Sequence, residues 1–139
     1  MYKHILLASD GSENAVRAAK EAVKVASFDK ESVIDVVYVI DIEKSKSDVL
    51  HANSSEAVDL ERRKKNSKVI QVLNQANAAY QTTILRGKPG PEIVQYANQQ
   101  KVDMVIIGSR GLNTLQEMVL GSVSHKVMKR VNCPALIVK

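Results

Sequence analysis

Four short apolar runs punctuate the chain, at residues 5–8, 33–40, 102–107 and 135–138, the second broken by Asp35 and the third by Asp103. Valine and isoleucine dominate them, and polar residues do not alternate along them. A strand with one wet face alternates; a strand covered on both faces, as in a parallel sheet, does not. Residues 82–85, with Thr82, Thr83 and Ile84, form a weaker fifth run. Between the runs, apolar residues recur at helical spacing. Ala15, Ala18, Ala19, Ala22, Val25 and Ala26 share one face of residues 13–26, with Lys20, Glu21 and Lys24 mostly opposite and Ser12 at the N-cap position. Val69, Val72, Leu73, Ala76 and Tyr80 keep the same spacing within residues 55–80. Pro91 suits the first turn of a helix through Tyr96, and a helix over residues 122–130 is stopped by Pro134.

The order is β-α-β-α-β-α-β-α-β. It predicts an α/β fold, a parallel sheet layered between helices on both faces with right-handed crossovers, in one domain covering residues 1–139. Ligands of such sheets bind beyond the carboxyl ends of the strands, where strand order reverses. Three stretches fall there: residues 8–12, 39–42 and 108–111. Residues 41–54 are polar and irregular and read as a loop or lid.

Composition narrows the classes. The chain is 45% apolar, enough for a core, and 25% charged. The single cysteine, Cys133, excludes an intrachain disulfide, reads as an apolar filler, and leaves no cysteine–histidine cluster for zinc. No stretch approaches the ~18 apolar residues of a membrane span, and the N-terminus lacks a signal-peptide pattern, so a cytoplasmic protein is expected. A net charge of +5 suits an anionic partner but serves solubility equally. Arg62, Arg63, Lys64 and Lys65 read as a solvated helix face rather than a nucleic-acid patch. His4 and His51 carry no signal.

Candidate chemistry gathers at the glycines. Three of the six, Gly108, Gly111 and Gly121, fall within fourteen residues. Gly108 follows the fourth strand, where a missing Cβ lets a ligand approach the backbone. Gly121 and Ser122 open the last helix, whose first amides lack intrahelical partners and carry the positive dipole end. A polyphosphate spanning both clusters is the reading of Gly108-x2-Gly111-x9-Gly121-Ser122.

That motif, within IIGSRGLNTLQEMVLGSVSHKVMKRVNCPALIVK, resembles the ATP-binding motif of the universal stress protein family; ILLASDGSENA and VVYVID are similar to its first two strands. The resemblance covers the chain except about residues 43–67. It implies an adenine-nucleotide α-hydrolase-like, Rossmann-like three-layer sandwich with five parallel strands in the order 3-2-1-4-5. It also implies an ATP-binding stress-response regulator. Ala8 and Ser9 would line the pocket, Asp10 would accept from the ribose hydroxyls, and the Val39 backbone would meet adenine. Gly108, Ser109 and Gly111 would surround the α- and β-phosphates. Gly121, Ser122 and Val123 would donate amides to the terminal phosphates, helped by the Ser122 and Ser124 hydroxyls. Mg²⁺ would bridge the phosphates. A homodimer through the edge strand 135–138 is implied as well.

Duller readings stand beside these. Asp10 can cap its own turn with Ser12. Arg110 is either a solvated charge or a phosphate contact; His125 and Lys126 read as surface residues first. The alternative function is a slow ATPase or a nucleotide-dependent transferase of the same fold. No Walker lysine, no HxGH-type signature and no evident catalytic base accompany the glycines, so no catalytic residue and no protein-held metal are assigned. A receiver module would want an acidic pair after strand one and a flavodoxin more than 4% aromatics. A dehydrogenase would want Gly-x-Gly-x-x-Gly after strand one.

Overall fold

The computed structural model describes residues 2–41, 55–109 and 121–139, with side chains in the long central helix described at 64 and from 66 onward. The expected loop or lid therefore lies outside the described residues from position 42, as do His51 and the side chains of Arg62, Arg63 and Lys65. The elements are β1 (His4–Ala8), α1 (Glu13–Ala26), β2 (Val33–Ile40), α2 (Ser55–Gln75), β3 (Tyr80–Arg86), α3 (Pro89–Gln99), β4 (Met104–Gly108), α4 (Ser122–Arg130) and β5 (Ala135–Val138). All pairings are parallel and the strand order is β3-β2-β1-β4-β5. Order therefore reverses between β1 and β4, the place where this architecture opens a crevice.

Each buried strand feeds two cores, because successive side chains leave opposite faces. Ile5, Leu7, Ile34, Val36 and Ile106 pack under α1 and α2, with Val69 and Leu73 of α2 fully buried there. Leu6, Ala8, Val37, Val105 and Ile107 pack under α3 and α4, against Ile93, Ala97 and Val127. Each such large aliphatic contributes roughly 1.5–3 kcal/mol by leaving water. The α1 face is built from Ala15, Ala18, Ala19 and Ala22, small enough for the helix to lie close over the sheet.

Two boundaries differ from the expectation. The long helix ends at Gln75, so Tyr80 belongs to β3. Asn77 adopts φ 54°, and the Asn77 and Ala78 N–H groups bond Asn74 O (3.1 Å) and Leu73 O (3.0 Å), a Schellman cap. The fourth strand starts at Met104, not Val102: the Val102 N–H turns back to Ala97 O at 3.1 Å to close α3 after Lys101 at φ 52°.

One buried group stands apart. Asp35 is 0% exposed in mid-sheet. It accepts from Tyr96 Oη (2.6 Å) and Thr83 Oγ1 (2.7 Å), and pairs with His4 Nε2 at 3.2 Å. Burial by itself would push its carboxyl up; the bonds from Tyr96, Thr83 and His4 outweigh that and hold it below the ordinary 3.8. Burial and the Asp35 contact push the Tyr96 hydroxyl up in turn.

Candidate functional site

The carboxyl ends of β2, β1 and β4 lie side by side. The last bond between β1 and β2 runs from the Ser9 N–H to Val37 O at 3.0 Å. Odd-numbered residues of β2 bond toward β1 (Val33 N–H to Lys3 O, 2.8 Å) and even ones toward β3 (Ile34 N–H to Ala79 O, 2.9 Å). The alternation turns the Val39 N–H and C=O toward β1, past the point where β1 leaves the sheet. Ala8 and Ser9 are buried at the β1 tip, and Asp10 is exposed. Gly11 takes φ 78°, a left-handed turn that favours glycine. Asp10 Oδ1 accepts the Ser12 N–H at 2.9 Å, so the capping reading of Asp10 holds while the residue stays open to solvent.

Gly108 is where α1 touches the β4 tip. A Cβ there would stand 2.8 Å from Asn14 Cβ and 3.2 Å from the Asn14 carbonyl carbon and oxygen. The glycine thus serves helix–strand approach. Ser109 sends its N–H to Val138 O at 2.7 Å and receives the Gly121 N–H on its carbonyl at 2.8 Å. The Gly121 amide was expected to donate to the terminal phosphates and Ser109 to surround the α- and β-phosphates; in this structure both N–H groups are taken by the backbone. Ser124 Oγ donates to Gly108 O at 2.5 Å, so that hydroxyl clamps α4 to β4, its proton committed there. Arg110 and Gly111 lie outside the described residues.

What remains is the head of α4. Gly121 is its N-cap, at φ −60° and ψ 155°, with no side-chain cap bond, and no acidic residue stands in the first turn. The first intrahelical bond is His125 N–H to Gly121 O (2.9 Å), so the amides of Ser122, Val123 and Ser124 have no partner within the helix. Basic Lys129 and Arg130 sit in the last turn, complementing only the far end of the dipole. The neighbouring head of α1 is the opposite case: Ser12 Oγ accepts the Ala15 N–H at 3.3 Å and Glu13 stands in the first turn. Of these two helix heads, that of α1 is capped by its own Ser12, while that of α4 has no side-chain cap among the described residues.

A family model described as the universal stress protein family matches residues 1–139. The chain belongs to the universal stress protein family. Among curated relatives, universal stress protein MJ0531 of Methanocaldococcus jannaschii is 33% identical, covering 100% of this chain and 83% of the relative. The solved structure of MJ0577, from the same organism, is 31% identical with a TM-score of 0.79, covering 100% and 96% of the two chains. The fold also matches the universal stress protein from Archaeoglobus fulgidus in complex with dAMP, 20% identical with a TM-score of 0.74 over 99% and 98% of the chains.

In this universal stress protein, α2 also reaches the β1 tip, through Asn66, whose Oδ1 accepts the Ser9 hydroxyl at 2.8 Å. Sequence reasoning missed it, because a helical asparagine gives no signal of the strand tip that it touches. His125 is exposed, while the Lys126 stem lies over Gly90 of α3, where a Cβ would meet Lys126 Cδ at 3.0 Å. Cys133 is half-buried, and burial pushes its thiol up, away from a reactive thiolate. Among the described residues no group of three or more His, Cys, Asp or Glu is placed to hold a metal, and no helix is long and apolar enough to cross a membrane.

Proposed function

We propose that this universal stress protein is a regulator that binds ATP at the carboxyl ends of β1, β2 and β4. The observation that carries the reading is the head of α4, without a side-chain cap among the described residues, together with an exposed Asp10 and the turned-out Val39 backbone. Amides aligned with a helix dipole favour an anionic tail. The Ser122, Val123 and Ser124 amides take the terminal phosphates, together with the Ser122 hydroxyl. Asp10 accepts from the ribose hydroxyls. The Val39 N–H and C=O match the acceptor and donor of adenine's pairing edge. Ala8 and Ser9 floor the pocket, and Arg110 and Gly111, outside the described residues, are further candidates for the α- and β-phosphates. The donor set is neutral N–H and suits phosphate oxygens rather than a metal. Mg²⁺ would thus ride on the phosphates, where it neutralises part of their charge. The protein acts as a homodimer through β5.

Two measurements test the nucleotide reading. Chromatography of the supernatant from denatured purified protein should show ATP, and calorimetry with Mg·ATP should give saturable heat. Gly121→Asp is the discriminating variant. An aspartate cap stabilises a helix head over a glycine cap by a few tenths of a kcal/mol, yet it occupies the amides and adds negative charge. The variant should melt no lower than wild type and bind ATP at least roughly tenfold more weakly. Absence of bound nucleotide together with no heat from Mg·ATP would refute the proposal.

A further inference from the structure

Asn66 is where α2 meets the β1 tip. It lies half-buried one turn before Val69, which is fully buried in the core under α1 and α2. The helix is therefore anchored at that point, and the Lys68–Glu13 pair at 3.5 Å ties it to the head of α1 as well. From this fixed position the Asn66 Oδ1 accepts the Ser9 hydroxyl proton at 2.8 Å, across 57 residues of chain. A serine hydroxyl has one proton to give. With it directed at Asn66, the Ser9 oxygen presents a lone pair to the Gly11 N–H, at 3.3 Å. Gly11, at φ 78°, and the Ser12 N–H, bonded to Asp10 Oδ1 at 2.9 Å, complete a closed turn. Asp10 is held between those two bonds and points outward. The Asp10 carboxylate is thus held within its own turn by the Ser12 N–H, while the Ser9 hydroxyl that supports that turn is held from outside it, by a residue on a different element.

We propose that Asn66 is a positioning residue of the nucleotide site: by fixing the Ser9 hydroxyl it sets the pose of Asp10, and so the preference for a ribose over a deoxyribose. The inference rests on the ATP reading given above. The physical link is the directionality of a charged acceptor. A carboxylate bonded to a hydroxyl is strong when aligned and weakens steeply off line. Base and phosphate contacts come from β2 and α4, which Asn66 does not touch among the described contacts. Loosening the β1 turn therefore costs the sugar contact selectively.

The test compares calorimetric affinities for Mg·ATP and Mg·2′-deoxy-ATP in full-length wild type, Asn66→Ala, Ser9→Ala and Asn66→Asp. Wild type should prefer the ribonucleotide. Asn66→Ala and Ser9→Ala, which remove the same bond from opposite ends, should each bring the ratio of affinities threefold to tenfold closer to one, by about one hydrogen bond's worth. Asn66→Asp keeps an acceptor for Ser9. It should bind both nucleotides more weakly, through added negative charge, but retain most of the wild-type ratio. A purely structural role for Asn66 would lower both affinities together and move the melting temperature, without changing the ratio. Wild-type discrimination retained in a folded Asn66→Ala or Ser9→Ala protein would overturn the inference and leave ATP binding standing. Wild type that binds neither nucleotide would instead sink the reading beneath it.

Discussion

At Gly108, residue type answers to one atom. The Cβ of any other residue would meet Asn14 Cβ at 2.8 Å and Asn14 backbone at 3.2 Å. Neither neighbour is the free end of a flexible chain. Gly108→Ala should therefore force α1 away from the β4 tip and cost about 1–3 kcal/mol in a urea titration. Gly90 is the counter-example. A Cβ there would meet the Lys126 stem at 3.0 Å, which can swing, and Gly90 lies inside the first turn of α3. Gly90→Ala should be neutral or stabilising by up to about 1 kcal/mol. Equal losses from both variants would show that close packing at Gly108 is not its purpose. The sequence singled out Gly108 as a glycine at a strand tip, which was legible from its place after the apolar run. That its partner is Asn14, rather than a ligand alone, was not legible, because the contact joins residues far apart in the chain.

Asp35 belongs to the scale of elements, since its bonds draw on His4 of β1, Thr83 of β3 and Tyr96 of α3. In the sequence it reads only as an interruption of the second apolar run. A buried carboxylate survives there because each of its partners arrives from a different element. Asp35→Asn keeps the shape but loses the charge, and should cost roughly 1–3 kcal/mol at neutral pH. The pH dependence follows from the lowered carboxyl. Folding favours its ionised form, so the stabilisation is present above the ordinary 3.8 and is lost as pH falls through the depressed value below it. The difference between wild type and Asp35→Asn, measured by urea unfolding from neutral pH into strong acid, should close at the acid end. A difference that stayed constant into strong acid would remove the charge from the account. Boundaries were the other element-scale surprise. Helical spacing carried Tyr80 into the long helix because periodicity has no end marker, and Asn77 in the left-handed region supplied one.

For the whole molecule, the sheet's order leaves β3 and β5 as edges. In β5, Leu136 and Val138 pack toward α1 and α2 and Ile137 toward α3 and α4, yet all remain partly exposed. Pro134 O and Val138 O bond inward to β4, so by alternation the Ile137 N–H faces the open edge. Ile137→Pro removes that outward donor while sparing the β4 ladder. If β5 pairs with a second copy, sedimentation should show wild type as a dimer and the variant as a folded monomer. A variant that sedimented like wild type would exclude β5 pairing. The sequence by itself determined the layered architecture and pointed to a candidate site, because runs of branched aliphatics and helical spacing are local and the glycines mark where strands end. Only the tertiary structure decided which amides are spoken for. The Ser109 and Gly121 N–H groups pair within the fold, the α4 head has no side-chain cap among the described residues, and Asn66 and Asp35 acquire their partners, since a hydrogen bond between distant residues exists only once the chain has brought them together.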